Sequence, residues 1–344
     1  MAGSQAYLWR GDTIFIINYA KKGMRFSEKL YLCQMYYFLY AVWYVLSLLP
    51  LRVHYVLSDF IYLIVYRLIG YRRDVVRGNL ESSFPEKSEE ELLQIERGFY
   101  HSLCDYFVET VKMISMSRSQ MRRHIVFKGA EIVNESIDAG QPVAAFMGHT
   151  FNWEWVASLP MWVSPKAQCG QLYHALENKA FDRLFVHLRQ RWGAVSIALT
   201  DILRKTIEFK RQGKATVIGY VGDQVPHWNN IHHWCQFLNH DTPVMTGTER
   251  IARKNHQAIV YIDIRRLRRG YYECEFRLIT RHPEQMAEFE PTDIYHRMLE
   301  ETIRRQPELW LWSHNRWKRT REEFNERFEV VGGKVIEKTS KALS

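Results

Sequence analysis

A histidine and a glutamate stand five positions apart in Gly148-His149-Thr150-Phe151-Asn152-Trp153-Glu154. An imidazole beside a carboxylate is the pairing that general-base chemistry needs: the carboxylate bonds one ring nitrogen, fixes the tautomer and stabilises the imidazolium formed when the other nitrogen takes a proton. The spacing sets a condition on this. Along an unbroken helix five residues turn through about 500°, which sends the two side chains to different faces. They meet only if His149 precedes the helix, with Thr150 or Asn152 as N-cap and Glu154 in the first turn, where the dipole favours a carboxylate. No Gly-x-Ser-x-Gly elbow or obvious catalytic cysteine accompanies the pair, so a covalent acyl-enzyme is disfavoured. A substrate hydroxyl is then the expected nucleophile, and acyl transfer the reaction class. The competing reading is a satisfied histidine at a strand end beside an unrelated surface glutamate.

The elements that must position this pair can be read around it. Residues 142–147 form an apolar run that predicts a buried strand, and a strand ending in Gly-His puts the imidazole at the carboxyl edge of a sheet, where open α/β folds keep their chemistry. Further strands are expected over 194–198, 215–221, 258–264 and 271–279, with helical patterns over 179–192 and 201–211 between them. Strands alternating with helices predict an α/β layer with a largely parallel sheet, its last two strands joined as a hairpin through the arginine-rich 265–270. Ser88 with Glu91 three residues on is a capping box opening an amphipathic helix towards Met113, after a loop at 82–85. A second strand end carries Gly222-Asp223-Gln224, where Asp223 either binds a polar group of a substrate or, as the spacing favours, caps the next segment.

With 344 residues, 47% of them hydrophobic, the chain can bury a large core, and its net charge of +9 favours anionic partners. Nucleic acid, anionic lipid and an acidic carrier protein all satisfy the charge. The 11 Trp and 19 Tyr favour a membrane interface. Cys33, Cys104, Cys169, Cys235 and Cys274 form no Cys-x-x-Cys pair, which predicts a reducing, cytoplasm-facing compartment without a disulfide framework. His227, His232, His233 and His240 with Cys235 match no standard ligand spacing, so no metal is expected. Without a Gly-x-Gly-x-x-Gly or Walker A pattern, no nucleotide cofactor is expected either. At the N-terminus, Asp12 and the short apolar run 14–17 argue against a secretory signal. Residues 30–51 carry no charge; as one helix they would measure about 33 Å, enough to cross a bilayer core. The stretch 53–69, with Asp59 and Arg67, suits a helix at the interface or packed back on the first. Basic residues flank both sides, Lys21, Lys22 and Arg25 before and Arg67, Arg72 and Arg73 after, so the positive-inside rule assigns no orientation. The expected organisation is a membrane-anchoring helical segment over 1–73, spanning or dipping, an α/β domain over 74–330 and a solvated tail over 331–344.

A histidine, four residues and an acid after a strand, coupled to an anchor, resembles the glycerolipid acyltransferase superfamily. More specifically, Arg-Arg-Asp-Val-Val-Arg-Gly-Asn-Leu at 72–80 with Ser83-Phe84-Pro85 resembles a segment of the lipid A biosynthesis late acyltransferases. So do Gly148-His149 to Glu154, Tyr173 with Asn178, Gly222-Asp223-Gln224, Thr246-Gly247-Thr248 and Trp312-Ser313-His314-Asn315-Arg316-Trp317-Lys318, in family order. Two departures stand out. Tyr173-His174-Ala175 replaces a common Tyr-Arg-Pro, so that a phosphate-contacting arginine is either absent there or supplied by Arg189 or Arg191, and Phe237-Leu238-Asn239 replaces Phe-Phe-Gly. The resemblance implies a glycerol-3-phosphate-acyltransferase-like fold. It implies an acyl donor carried as a thioester on acyl carrier protein or CoA, a lipid A precursor as acceptor, and a site at the cytoplasmic face of the inner membrane. His149 is then the expected base and Glu154 its orienter. Asp223, Arg189, Arg191, Tyr173 and Asn152 are the expected substrate contacts. Within this class the alternative acceptor is a lysophospholipid or another bacterial glycolipid. Outside it, the alternatives are a non-catalytic protein that binds anionic lipid and, explaining the charge but not the anchor, a nucleic-acid binder.

Overall fold

The computed structural model describes residues 26–338. Lys21, Lys22, Arg25 and the 14–17 run lie outside these residues, as do 339–344 of the expected tail. Seven strands make the central sheet: β1 (Ile125–Lys128), β2 (Val143–Met147), β3 (Gln168–Tyr173), β4 (Val195–Ala198), β5 (Thr216–Val221), and, after a small separate hairpin of β6 (Trp234–Phe237) and β7 (His240–Pro243), β8 (Ala258–Arg268) and β9 (Tyr271–Thr280). Their order is β1-β9-β8-β2-β5-β3-β4, and every pairing is parallel except the β8–β9 hairpin. The mixed α/β architecture with a mostly parallel sheet is thus the one the alternation predicts.

β2 lies in the middle of this sheet, and all five of its residues are buried, as expected for a parallel strand covered on both faces. Its side chains alternate between two cores. Ala144 and Phe146 join Tyr220, Tyr295 and Leu299 on one face, while Val143, Ala145 and Met147 join Trp155, Val156 and Leu159 on the other. The helix Glu89–Lys112 opens on the Ser88–Glu91 capping box and supports the site from outside the sheet. Arg73–Ser83 is helical, taking in the first two residues of the loop expected at 82–85, and Asn79 on its buried side donates to the carbonyls of Trp312 and His314 at 2.8 and 2.9 Å. Two sequence blocks more than 230 residues apart therefore meet beneath the sheet edge. Part of the expected solvated tail is ordered: β10 (Phe328–Val331) and β11 (Lys334–Glu337) pair as an antiparallel hairpin.

The charge-free run 30–51 is not one helix. Helix Phe26–Ser47 ends before Pro50, and helix Leu51–Tyr62, continued by π-helical turns over Leu63–Ile69, leaves at 111° to it. Proline lacks the N–H that would continue the ladder and disfavours a helical residue before it. Lys112 Nζ takes the freed carbonyls of Ser47 and Leu49 at 2.7 and 2.9 Å. Among the described residues no single helix is long and apolar enough to cross a membrane; the bent pair together has the length and composition. Phe38, Val45, Val56, Phe60, Leu68 and Ile69 on this pair are exposed. The inner side packs on the domain, with Trp43 edge-on against Phe181 and Phe185.

Candidate active site

Parallel pairing of β2 with β5 in the register Met147↔Val221 brings Gly148-His149 and Gly222-Asp223 side by side at the carboxyl edge of the sheet. The backbone approaches closely here: a Cβ on Gly148 would sit 2.6 Å from Leu299 Cδ1 and 3.2 Å from Asp223 Oδ2. Any side chain here would have to push aside the Leu299 side chain, on the helix Glu290–Arg305, and crowd Asp223.

His149 finds its carboxylate across this register. Nδ1 lies 2.5 Å from Asp223 Oδ1, while Asp223 Oδ2 accepts from the His149 backbone N–H at 2.8 Å and from Trp310 Nε1 at 2.7 Å. Asp223 is buried at 2% exposure. Burial alone would raise its pKa, yet the His149 imidazole and the three hydrogen bonds hold the carboxyl well below the usual carboxylate range. An ionised Asp223 fixes Nδ1 as the protonated nitrogen and leaves the Nε2 lone pair as the basic site. The His149 side chain is 19% exposed, so this nitrogen belongs to a partly open group, with Gln224 Nε2 at 3.4 Å from it.

Glu154 does not supply the imidazole's carboxylate. The Asn152 side chain caps the 3-10 helix Trp153–Met161, as expected of the N-cap, by accepting from Glu154 N at 3.0 Å. The carboxylate itself is 3% exposed and faces Arg189, whose Nε and Nη2 donate to Oε2 and Oε1 at 2.7 and 2.5 Å. Tyr106 donates to the same Oε1 at 3.2 Å. Burial, the largest influence, would raise the Glu154 carboxyl, but the Arg189 charge and the hydrogen bonds to the carboxylate together outweigh it and lower it. The expected junction between loop and helix is present, but what it positions beside Glu154 is a guanidinium. A bidentate guanidinium binds a carboxylate more strongly than a neutral imidazole does, and it takes the site.

The other expected contacts divide. Tyr173 ends β3 at the same sheet edge and acts electrostatically on Arg189. Asn152 is fully buried, with its amide nitrogen donating to Glu109 Oε2 at 2.9 Å, so both ends of its side chain are used inside the protein. Arg191 is occupied by the backbone carbonyls of Met113, Ile114 and Met116, which end the helix Glu89–Lys112 and the turn after it. It closes that helix end, and a contact to substrate is not its geometry. Asp223 is buried, with its oxygens taken by His149 and Trp310. Residues not expected at the site are Trp310, which holds Asp223, and His314, whose Nε2 accepts from Val225 N at 3.2 Å and which burial lowers to about 4, keeping it neutral. The tryptophan-rich block around 312–318 was the available signal for both.

Burial pushes the thiols of Cys104, Cys169 and Cys235 up to about 12, so none of these is a thiolate nucleophile. In the histidine-rich stretch, His233 bonds Asp293 at 2.8 Å and His240 stacks on Trp317. Among the described residues no group of three or more His, Cys, Asp or Glu side chains is arranged to hold a metal.

A carboxylate-held imidazole at the carboxyl edge of a mostly parallel α/β sheet, with a fixed guanidinium nearby, defines a site equipped for general-base chemistry on an anionic or polar substrate. Residues 24–319 match the family model of the bacterial lipid A biosynthesis acyltransferases, and the chain belongs to that family. It is accordingly an acyltransferase, acting in general on lipid A with an acyl donor. No protein among the curated sequences matches it.

Proposed function

We propose that this enzyme transfers a fatty acyl chain from a thioester, on acyl carrier protein or CoA, directly to a hydroxyl of a lipid A precursor. The observation that carries the reading is the His149–Asp223 pair, with Nδ1 held at 2.5 Å. His149 Nε2 takes the acceptor hydroxyl proton as the oxygen bonds to the thioester carbonyl carbon. The tetrahedral oxyanion then collapses, the C–S bond breaks, and the departing sulfur receives the proton back from the imidazolium. Asp223 stabilises that imidazolium and keeps its tautomer. General-base catalysis of this kind contributes about 10²–10⁴-fold, and the rest of the acceleration comes from positioning and from donors to the oxyanion. Gln224, beside Nε2, and Arg189, fixed by Glu154, are the side chains we assign to the oxyanion or to an anionic group of the substrate. Tyr173, at the same edge, belongs to this substrate-facing set.

The exposed apolar side chains of helices Phe26–Ser47 and Leu51–Tyr62, together with a net charge of +9, support seating of the bent pair in the cytoplasmic leaflet of the inner membrane. There the acceptor lipid and a soluble thioester reach one site from opposite sides.

Mass spectrometry of lipid A from cells with and without the gene tests the acceptor. Loss of one acyl chain, restored by the wild-type gene and not by His149→Ala, is the expected result. Unchanged lipid A with altered phospholipids would overturn it in favour of a lysophospholipid acceptor.

A further inference from the structure

The loop that carries His149 and Glu154 is tied to the apolar helices through one buried carboxylate that the mechanism above does not use. Glu109, on the helix Glu89–Lys112, is fully buried. Its Oε2 accepts from Asn152 Nδ2 at 2.9 Å and from Tyr272 of β9 at 2.9 Å, and its Oε1 accepts from Tyr55 at 2.9 Å. Asn152 is the residue that caps Trp153–Met161 and so sets where Glu154 points. Tyr55 belongs to helix Leu51–Tyr62, one half of the bent apolar pair. The contact is tight on its other side as well: a Cβ on Gly270, in the β8–β9 turn at φ +75°, would lie 2.0 Å from the Tyr55 hydroxyl oxygen. One helical turn further on, Lys112 closes the carbonyls at the break between the two apolar helices. A single helix end therefore grips both halves of the pair and the cap of the catalytic loop.

We propose that Glu109 is a positioning residue: it locks the His149–Glu154 loop to the apolar helix Leu51–Tyr62 through the chain Tyr55–Glu109–Asn152, so that the seat of that helix sets the geometry of the loop. The proposal rests on the reading of this loop as catalytic. A carboxylate serves because it offers two oxygens to three donors at once, and burial makes each of these bonds costly to lose. Glutamine at 109 still presents a carbonyl to Asn152, whereas alanine leaves the Asn152 amide unpaired.

The test uses the full chain in phospholipid vesicles, with lauroyl-carrier-protein as donor and lipid A precursor from cells lacking the gene as acceptor. Tyr55→Phe keeps the ring and removes one hydroxyl; it is expected to lower kcat about tenfold with KM held within about twofold and the melting point lowered by no more than a few degrees. Asn152→Ala is expected to lower kcat roughly 100-fold, and adding Tyr55→Phe to it to cause no further fall, because the chain is already cut. Glu109→Gln should retain most of the turnover that Glu109→Ala loses. Unchanged kcat in Tyr55→Phe, or losses that multiply in the double variant, would overturn the proposal while leaving the catalytic reading intact. Wild-type turnover in His149→Ala, measured in the same assay, would overturn the reading on which the proposal rests.

Discussion

The loop after β2 supports two acid–base pairs of similar length and opposite character. His149–Asp223 joins a buried carboxylate to an imidazole whose other nitrogen is partly open, at 19% exposure. Glu154–Arg189 joins a buried carboxylate to a guanidinium through two parallel bonds, with Tyr106 as a third donor. The first pair leaves one imidazole nitrogen with a lone pair that can take a proton. The second contains a cation that keeps its proton at any working pH and a carboxylate that cannot compete with it. The difference teaches that adjacency in sequence is a poor guide to partnership. The residue five positions from His149 supports an electrostatic fixture, while the residue that bonds the imidazole lies 74 positions away.

The contrast can be broken from the Arg189 side first. Removing one member of a buried pair strands the other, so Glu154→Gln and Arg189→Met are each expected to lose about 3–5 kcal/mol of stability, read as a lower melting point. Glu154→Leu combined with Arg189→Met restores much of that stability. If turnover stays low in this double variant, Arg189 acts on substrate, and if turnover returns, its role is support.

A second comparison concerns acidity. Asp223 is held ionised, whereas Glu109, on the far side of the same loop, has its carboxyl pushed up to about 7, first by burial and then by the neighbouring Asp105 charge. Because this value lies above the ordinary 4.5, the folded protein keeps the proton longer than the unfolded chain does. The stability it contributes is complete below about 4.5 and is lost as pH rises through about 7, a change of about 3 kcal/mol that thermal melts of wild type and Glu109→Gln at these two pH values would show. The variant should lack that slope. The smallest expected effect is Tyr106→Phe, which removes one of several donors to Glu154 and costs about 1 kcal/mol in the same melts, with little change in turnover.

Much of this arrangement is legible before any coordinates. β2, β4 and β5 fall within a residue or two of their apolar runs, the β8–β9 hairpin turns where the arginine-rich link predicts, and the Ser88–Glu91 box marks its helix start. β3 escapes because Gln168-Cys169-Gly170-Gln171 offers no apolar run; its place is set by pairing with β4 and β5. The break at Pro50 escapes because the absence of charge over 30–51 outweighs one proline in a hydropathy reading, although that proline decides the backbone. At the site, His149 stands out from its strand end alone. Asp223 is visible as a polar residue at a second strand end, but which histidine it serves depends on the β2–β5 register. The grip of Trp310 on Asp223 depends on a chain reversal that no local pattern encodes.

The central claim, that Asp223 makes His149 a base, is tested most directly by the turnover of Asp223→Asn. Both donors to Oδ2, the His149 N–H and Trp310 Nε1, require an oxygen at that position. The new amide nitrogen is thereby forced towards Nδ1, which must become the acceptor, leaving Nε2 protonated and unable to take the substrate proton. A kcat lower by roughly 10³- to 10⁴-fold, in a variant whose melting point stays close to that of wild type, is the predicted result. Turnover within about tenfold of wild type would contradict it, because general-base support of the expected size could not then come from this pair.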